Sequence, residues 1–178
     1  MSLKNNKVVF LDRDGVVNKE IGYLHKIEEF EFIEGIFKSL RNLIYSGYKL
    51  IIVTNQSGIG RGMYNIEQFH TLNNWMLKKF KEKNIFFLDV LFCPHMPEDY
   101  CECRKPKPGL FLSAIKKYKI DTKASWMIGD TENDILAARE AGIMKTVLVR
   151  SGHKVDDKKT KASFVIDSIK DIAEVINS

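Results

Sequence analysis

The run Val8-Val9-Phe10-Leu11 is apolar at every position. A half-exposed strand alternates and a surface helix repeats every three to four residues. A short unbroken run therefore reads as a strand buried on both faces. Such runs recur at residues 49–54, 86–92, 125–128 and 146–149, with a short one at Phe164–Ile166. Between them the apolar positions fall at helical spacing. Ile36, Phe37, Leu40, Leu43 and Ile44 share one face, and Gly47 is placed to stop that helix. Asn65 with Gln68 has the capping-box pattern ahead of Ile66, Phe69, Leu72, Met76, Leu77 and Phe80. Pro108 suits a first helical position before Leu110, Phe111, Ala114, Ile115 and Tyr118. Ile135, Leu136 and Ala138 lead to Gly142, and Ile169, Ile172 and Ile176 mark a terminal helix. Strands buried on both faces, alternating with helices, specify an α/β fold: a doubly wound, mainly parallel sheet. At 178 residues, without repeat, low-complexity tract or linker, the chain reads as one domain over 1–178.

In such sheets ligands bind outside the carboxyl ends of the strands. Polar residues collect there. The first strand ends in Asp12-Arg13-Asp14-Gly15, the second in Thr54-Asn55-Gln56-Ser57-Gly58, and the third runs into Cys93-Pro94-His95. The fourth ends in Gly129-Asp130-Thr131-Glu132-Asn133-Asp134, and Lys105 precedes the helix near Pro108. In extended backbone Asp12 and Asp14 point to the same side. Two carboxylates that close need a cation or a shared proton. A hard divalent cation answers the first need, and a nucleophile beside a proton donor the second. Taken singly, each motif also has a plain reading: Asp12 and Asp14 as helix cap and solvated turn, Thr54-Asn55 as turn chemistry, Asp130 as an N-cap, Lys105 as surface. Taken together they make a phosphate site. Asp130 adds a third carboxylate to an oxygen-rich Mg²⁺ shell, Thr54 and Asn55 can hold phosphoryl oxygens, and Lys105 neutralises charge.

The composition, 44% hydrophobic and 29% charged, is that of a folded globular chain. Residues 1–7 lack the core of an export signal and no apolar stretch reaches membrane-spanning length, so the cytoplasm is the expected location. The net charge of +5 would suit nucleic acid or a small anion. Many lysines, such as Lys78, Lys79, Lys81 and Lys83, lie on an apparent helix face, and a solvated surface explains them. The three cysteines, Cys93, Cys101 and Cys103, fall in one segment with His95. Four soft or borderline ligands are what a closed tetrahedral Zn²⁺ site needs, and a site with every position filled by protein is structural. The alternative is free thiols near an exposed histidine.

Asp12-x-Asp14-Gly15-Val16, Thr54 behind an apolar strand, Lys105, and Gly129-Asp130 with Asp134 resemble the four motifs of the haloacid-dehalogenase-like phosphatases, over residues 8–150. The resemblance implies that Asp12 is the nucleophile and Asp14 the general acid and base. It implies that Thr54 and Lys105 hold the phosphate. Asp12, the Asp14 backbone carbonyl and Asp130 would bind Mg²⁺, with Asp134 behind them. Cys-Pro-His followed by Cys-x-Cys-Arg-Lys-Pro-x-Pro-Gly is similar to the zinc-loop subgroup, whose activities include heptose-bisphosphate and histidinol-phosphate phosphatases. Phe10-Leu-Asp-Arg-Asp-Gly, the run from Thr54 to Gly62, Gly22-Tyr23 and Phe30-Glu31-Phe32 look closest to the heptose type. The resemblance then implies an open site without a separate cap domain, its rim shaped by residues 93–103 and 19–30. Glu20, Gly22 and Tyr23 would contact the sugar, and Thr54, Asn55, Gln56 and Ser57 the phosphate. Arg104, with Arg61, is the candidate for the phosphate that stays. A short loop between His95 and Cys101, and Thr131 where some members carry lysine, depart from the pattern at the substrate rim. The expected partner is a small sugar bisphosphate, met by a monomer without nucleic acid or membrane. Rival readings are a histidinol-phosphate phosphatase, a polynucleotide 3′-phosphatase and a non-catalytic zinc-ribbon module that binds nucleic acid. The last leaves Asp12, Asp14 and Asp130 without a task.

Overall fold

The computed structural model describes residues 6–176; residues 1–5, most of the stretch read above as lacking an export signal, lie outside them. Six strands form one parallel sheet: β1 (Val8–Leu11), β2 (Lys49–Asn55), β3 (Phe87–Cys93), β4 (Trp126–Gly129), β5 (Lys145–Val149) and β6 (Phe164–Ile166). Their order is β3-β2-β1-β4-β5-β6, and every pairing is parallel. The chain thus builds outward from β1 in one direction and then returns to build in the other. The reversal lies between β1 and β4, where a doubly wound sheet opens its crevice.

Alternation in β1 explains its unbroken apolar sequence. Val9 and Leu11 join one core with Ile36, Leu40, Leu50, Ile52, Leu72, Met76 and Phe80. Val8 and Phe10 join a second core with Ile51, Val53, Phe111, Ala114, Ala137 and Ala138. Helices α1 (Ile36–Tyr45) and α3 (Ile66–Lys81) cover the first face, and α4 (Gly109–Tyr118) and α5 (Glu132–Glu140) cover the second; α2 (Ser57–Gly60) is a single turn between β2 and α3. All four β1 residues are fully buried. At about 25 cal/mol per Å² of apolar surface, each such side chain contributes roughly 1.5–3 kcal/mol. The rigid strand carries Asp12 at its end.

Helix ends follow their local chemistry. Asn65 and Gln68 make the reciprocal capping box, at 2.8 and 2.9 Å. Gly47 and Gly142 sit past their helices at φ +84 and +88, a region where a Cβ is costly. Two expectations shift. Pro108 is the N-cap and not the first helical residue, because the helix begins at Gly109. A Cβ at Gly109 would stand 2.3 Å from the Glu102 carbonyl oxygen, so the cysteine-bearing segment crosses the helix start there. The terminal helix is split into a 3₁₀ turn (Ile169–Asp171) and α6 (Ala173–Ile176). Ile169 and Ile172 are three apart and both buried, a spacing that the tighter 3₁₀ turn aligns. Among the described residues no helix is long and apolar enough to cross a membrane.

Candidate active site

The carboxyl ends of β1, β2 and β4 surround a cavity of about 420 Å³. Asp12, Asp14, Thr54, Lys105 and Asp134 line it. So do Glu20, Gly22, Tyr23, Asn55, Gln56, Ser57 and Arg104. Arg61 does not: it closes α2, its backbone N–H bonding to Ser57 O at 2.9 Å, away from the lining. Arg61 is exposed there, and its pairing with Arg104 gains no support from the lining.

Lys105 is 2% exposed and sits among anionic partners. Its Nζ lies 3.1 Å from Asp12 Oδ1 and 2.5 Å from Asp134 Oδ1, and it donates to Val53 O at 2.7 Å. These carboxylates hold its pKa above the usual lysine value against the effect of burial. The backbone of Lys105 is clamped by Asn55, which accepts from Lys105 N and donates to Lys105 O, both at 3.1 Å. Asn55 therefore uses its side chain to place the lysine. Burial is the largest influence on Asp12 and pushes its pKa up. Lys105 opposes that rise, while Asp134, Asp130 and Asp14 add to it.

Asp12, Asp130 and Asp134 each offer an oxygen within 4.8 Å of the others. Three carboxylates and one ammonium leave an excess of negative charge, which a divalent cation would match. The oxygens differ in their freedom. Asp134 Oδ1 pairs with Lys105, and its Oδ2 accepts from Thr131 N at 3.0 Å and Thr131 Oγ1 at 2.8 Å. Asp130 Oδ2 accepts from His153 N at 3.0 Å and is 2.6 Å from His153 Nδ1. Asp130 Oδ1 is buried and has no hydrogen-bond partner among the described residues. Burial, with Asp134 nearby, raises the Asp130 pKa. A buried, unpartnered carboxylate oxygen facing two other carboxylates fits a Mg²⁺ ligand. Glycine makes the packing possible. A Cβ at Gly15 or Gly152 would stand 2.3 or 2.0 Å from Asp130 Oδ2. The plain reading of Asp130 as an N-cap does not hold, since Thr131 occupies that position in a capping box with Asp134.

Asp14 is turned away from this carboxylate cluster. Its Oδ1 accepts from Arg13 Nε at 3.2 Å, Arg13 Nη2 at 2.9 Å and Asn18 Nδ2 at 2.9 Å. Its Oδ2 accepts from Arg13 Nη2 at 3.0 Å and Gln56 Nε2 at 2.9 Å. On the rim, burial and the neighbouring Asp14 raise the Glu20 pKa.

The cysteine segment folds onto itself beside the cavity. Cys103 Sγ lies 3.2 Å from Cys93 Sγ and 3.4 Å from Cys101 Sγ, and Cys93 and Cys101 are 3.6 Å apart. His95 Nδ1 lies 3.6 Å from Cys93 Sγ and 3.2 Å from Cys103 Sγ. Sulfurs bound to one tetrahedral zinc at ~2.3 Å stand roughly 3.7 Å apart. The observed edges are close to that, and all three thiols are free. The donor set and its spacing fit zinc.

Residues 102–172 match the HAD-hydrolase-like family model. The D-glycero-beta-D-manno-heptose-1,7-bisphosphate 7-phosphatase of Haemophilus ducreyi is 45% identical, over 96% of this chain and 98% of that protein. The chain belongs to the haloacid-dehalogenase-like phosphatase family. Within it, the D-glycero-alpha-D-manno-heptose-1,7-bisphosphate 7-phosphatase of Photorhabdus laumondii is also 45% identical, over 88% of this chain and 89% of that protein. Among solved members of the family, the D,D-heptose 1,7-bisphosphate phosphatase of B. bronchiseptica, complexed with magnesium and phosphate, superposes with a TM-score of 0.84. Its identity is 26%, over 94% of this chain and 96% of that one.

Several residues in or behind the cavity are only weakly marked in the sequence of this phosphatase. Arg13 lay inside the first motif, and its burial to 1% is the property that marks it. His153 follows β5 through Ser151-Gly152, a fourth glycine-bearing strand end, and that glycine is its signal in the sequence. Tyr64 lines the cavity from a loop with no local signal, and Asn133, inside the fourth strand-end motif, lines it from the first turn of α5.

Proposed function

We propose that this chain is a Mg²⁺-dependent phosphatase that removes the 7-phosphate of D-glycero-D-manno-heptose 1,7-bisphosphate, in the making of nucleotide-activated heptose for surface glycans. The observation that carries the chemistry is Asp12: buried, 3.1 Å from a lysine ammonium, at the floor of a cavity whose other wall is the Thr54 turn. The substrate assignment rests on family relatives that carry that activity in their names and span nearly the whole chain.

An Asp12 carboxylate oxygen attacks phosphorus, and the bond from phosphorus to the sugar oxygen breaks. Asp14 gives its proton to that oxygen. In the second half, water attacks the aspartyl phosphate, Asp14 takes the water proton, and Asp12 and inorganic phosphate separate. Lys105 and the Thr54 hydroxyl balance charge on the transferring group. Asp12, the Asp14 carbonyl and Asp130 would hold Mg²⁺, with Asp134 behind; when bound, the ion supplies charge stabilisation on the phosphoryl oxygens. Zinc on Cys93, His95, Cys101 and Cys103 would fix the segment leading to Arg104 and Lys105. Arg104, which donates to His95 O at 3.3 Å and lines the cavity, takes the 1-phosphate. Glu20, Gly22 and Tyr23 meet the sugar.

The test is phosphate release from the heptose bisphosphate, histidinol phosphate and 3′-phosphorylated DNA, each with and without Mg²⁺. The heptose bisphosphate is expected to turn over fastest, and only with the metal. A best rate on histidinol phosphate overturns the substrate, and wild-type turnover by Asp12→Asn overturns the covalent route.

A further inference from the structure

A hydrogen-bond chain reaches Asp14 from the far side of the cavity. The Tyr64 hydroxyl donates to Gln56 Oε1 at 2.5 Å. Gln56 Nε2 donates to Asp14 Oδ2 and to Thr54 Oγ1, both at 2.9 Å. Gln56 is 3% exposed and Tyr64 is 4% exposed. A primary amide has two N–H donors and one carbonyl. A carboxylate accepts only, so Asp14 fixes which end of the amide faces it. The carbonyl is left for Tyr64. The ring fits there because residue 58 is glycine: a Cβ would stand 2.2 Å from Tyr64 Cε1. On the other side of Asp14, the Arg13 guanidinium is itself anchored, donating to Leu24 O at 3.1 Å and lying over the Phe69 ring at 5.8 Å.

One NH₂ group therefore ties the Asp14 carboxylate to the hydroxyl that opens the phosphate-holding turn. Arg13 and Asn18 load Oδ1; Gln56 joins Arg13 on Oδ2 and links it to Thr54. That link sets the separation between the group that moves the proton and the group that holds the phosphate. Misplacing such a group by ~1 Å can cost about 10²-fold in rate. We propose that Gln56, oriented by Tyr64, is a positioning residue that sets the Asp14 carboxylate against the phosphate, and that its side chain is not a substrate ligand. The proposal rests on the reading of Asp14 as general acid and base.

The test is a double-mutant cycle on the sugar bisphosphate. Gln56→Met keeps the length and removes both amide functions. It is expected to lower kcat about 10- to 100-fold, within the range that general acid–base catalysis supplies, with KM nearly unchanged. Tyr64→Phe removes only the hydroxyl that orients the amide, so it lowers kcat in the same direction by a smaller factor. In an Asp14→Asn background neither change alters the residual rate. Wild-type turnover by Asp14→Asn means that the reading of Asp14 has failed, and the proposal with it. A crippled Asp14→Asn, with Gln56→Met costing the same factor in both backgrounds, overturns the positioning role alone. So does a raised KM at unchanged kcat, which would place Gln56 on the substrate. Should Gln56→Met not fold, as judged by its melting curve, Tyr64→Phe decides, and an unchanged kcat there overturns the proposal.

Discussion

Replacing Lys105 with methionine tests how the site is held together. Methionine keeps an unbranched apolar stem and removes the ammonium. Lys105 Nζ is 3.1 Å from Asp12 Oδ1, 2.5 Å from Asp134 Oδ1 and 2.7 Å from Val53 O, and the side chain is 2% exposed. At an effective dielectric of about 20, one such contact is worth roughly 5 kcal/mol before desolvation. Desolvation of the lysine offsets part of that, and removing one partner of a buried pair costs about 3–5 kcal/mol. For a chain of this size each kcal/mol moves Tm by about 2–4 °C, so metal-free Lys105→Met should melt roughly 6–20 °C below wild type at neutral pH. The deficit depends on pH in a direction the site dictates. Asp12 already has a folded pKa above its unfolded value, and losing Lys105 raises it further. A carboxyl group with a raised folded pKa stabilises the fold below the unfolded pKa and loses that contribution as pH rises through the folded one. The gap between variant and wild type should therefore be small near pH ~4 and widen toward neutrality. Added Mg²⁺ restores positive charge and should narrow it. Melting by circular dichroism, in chelator and in Mg²⁺ across that range, reads all three effects. Equal Tm values at neutral pH in chelator, or a gap that closes as pH rises, would refute the view of Lys105 as the counter-charge of a buried carboxylate cluster.

Gly152→Ala forces a Cβ to within 2.0 Å of Asp130 Oδ2; it should cost about 1–3 kcal/mol in a melt and abolish Mg²⁺-dependent turnover. Gly62→Ala, with nothing within 4 Å of its Cβ but a backbone φ of +68, should cost roughly 1–2 kcal/mol of backbone strain in a melt and keep activity, which separates loss of stability from loss of the metal site. Elemental analysis of purified protein should find one zinc per chain, and Cys103→Ser should lose it together with activity, because Cys103 Sγ lies within 3.4 Å of both other cysteines and His95. Arg104→Met should raise KM for the bisphosphate and leave turnover of a simple aryl monophosphate unchanged. Asn65→Ala removes the α3 cap at 2.8 Å and should lower stability by ~1 kcal/mol without touching activity.

The parallel sheet was legible because β1, β2, β4 and β5 are buried on both faces and their sequences are largely apolar runs, while β3, half-buried and carrying Asp89, was marked by its apolar flanks. The placement of Asp12, Thr54 and Asp130 followed from that, since each is the first polar residue beyond, or the last residues of, such a run. What escaped has a common cause. Arg13 looks like a solvated turn residue until Leu24 O and Phe69 enclose it, and those partners come from eleven and fifty-six residues away. His153 reaches Asp130 across twenty-three residues. Periodicity reports which face of an element is buried; it does not report which polar side chains from separate loops converge on one carboxylate.

That limit shapes how the two aspartates of the first motif are understood. Spacing alone treats Asp12 and Asp14 as an equivalent pair, two residues apart on one strand end. Their surroundings make them unlike. Asp12 faces an ammonium and two further carboxylates, a setting in which charge is concentrated and a cation is called for. The hydrogen-bond partners of Asp14 are a guanidinium and two amides, all donors. A group ringed by fixed donors has its direction set by them, which suits an acid and base that must meet the same oxygen position in both halves of a reaction. A group among buried charges of both signs suits an attacking nucleophile whose own charge changes. The difference in setting between two chemically identical side chains is thus made by Arg13, Asn18 and Gln56 on one side and Lys105, Asp130 and Asp134 on the other, and the proposed division of labour between them rests on it.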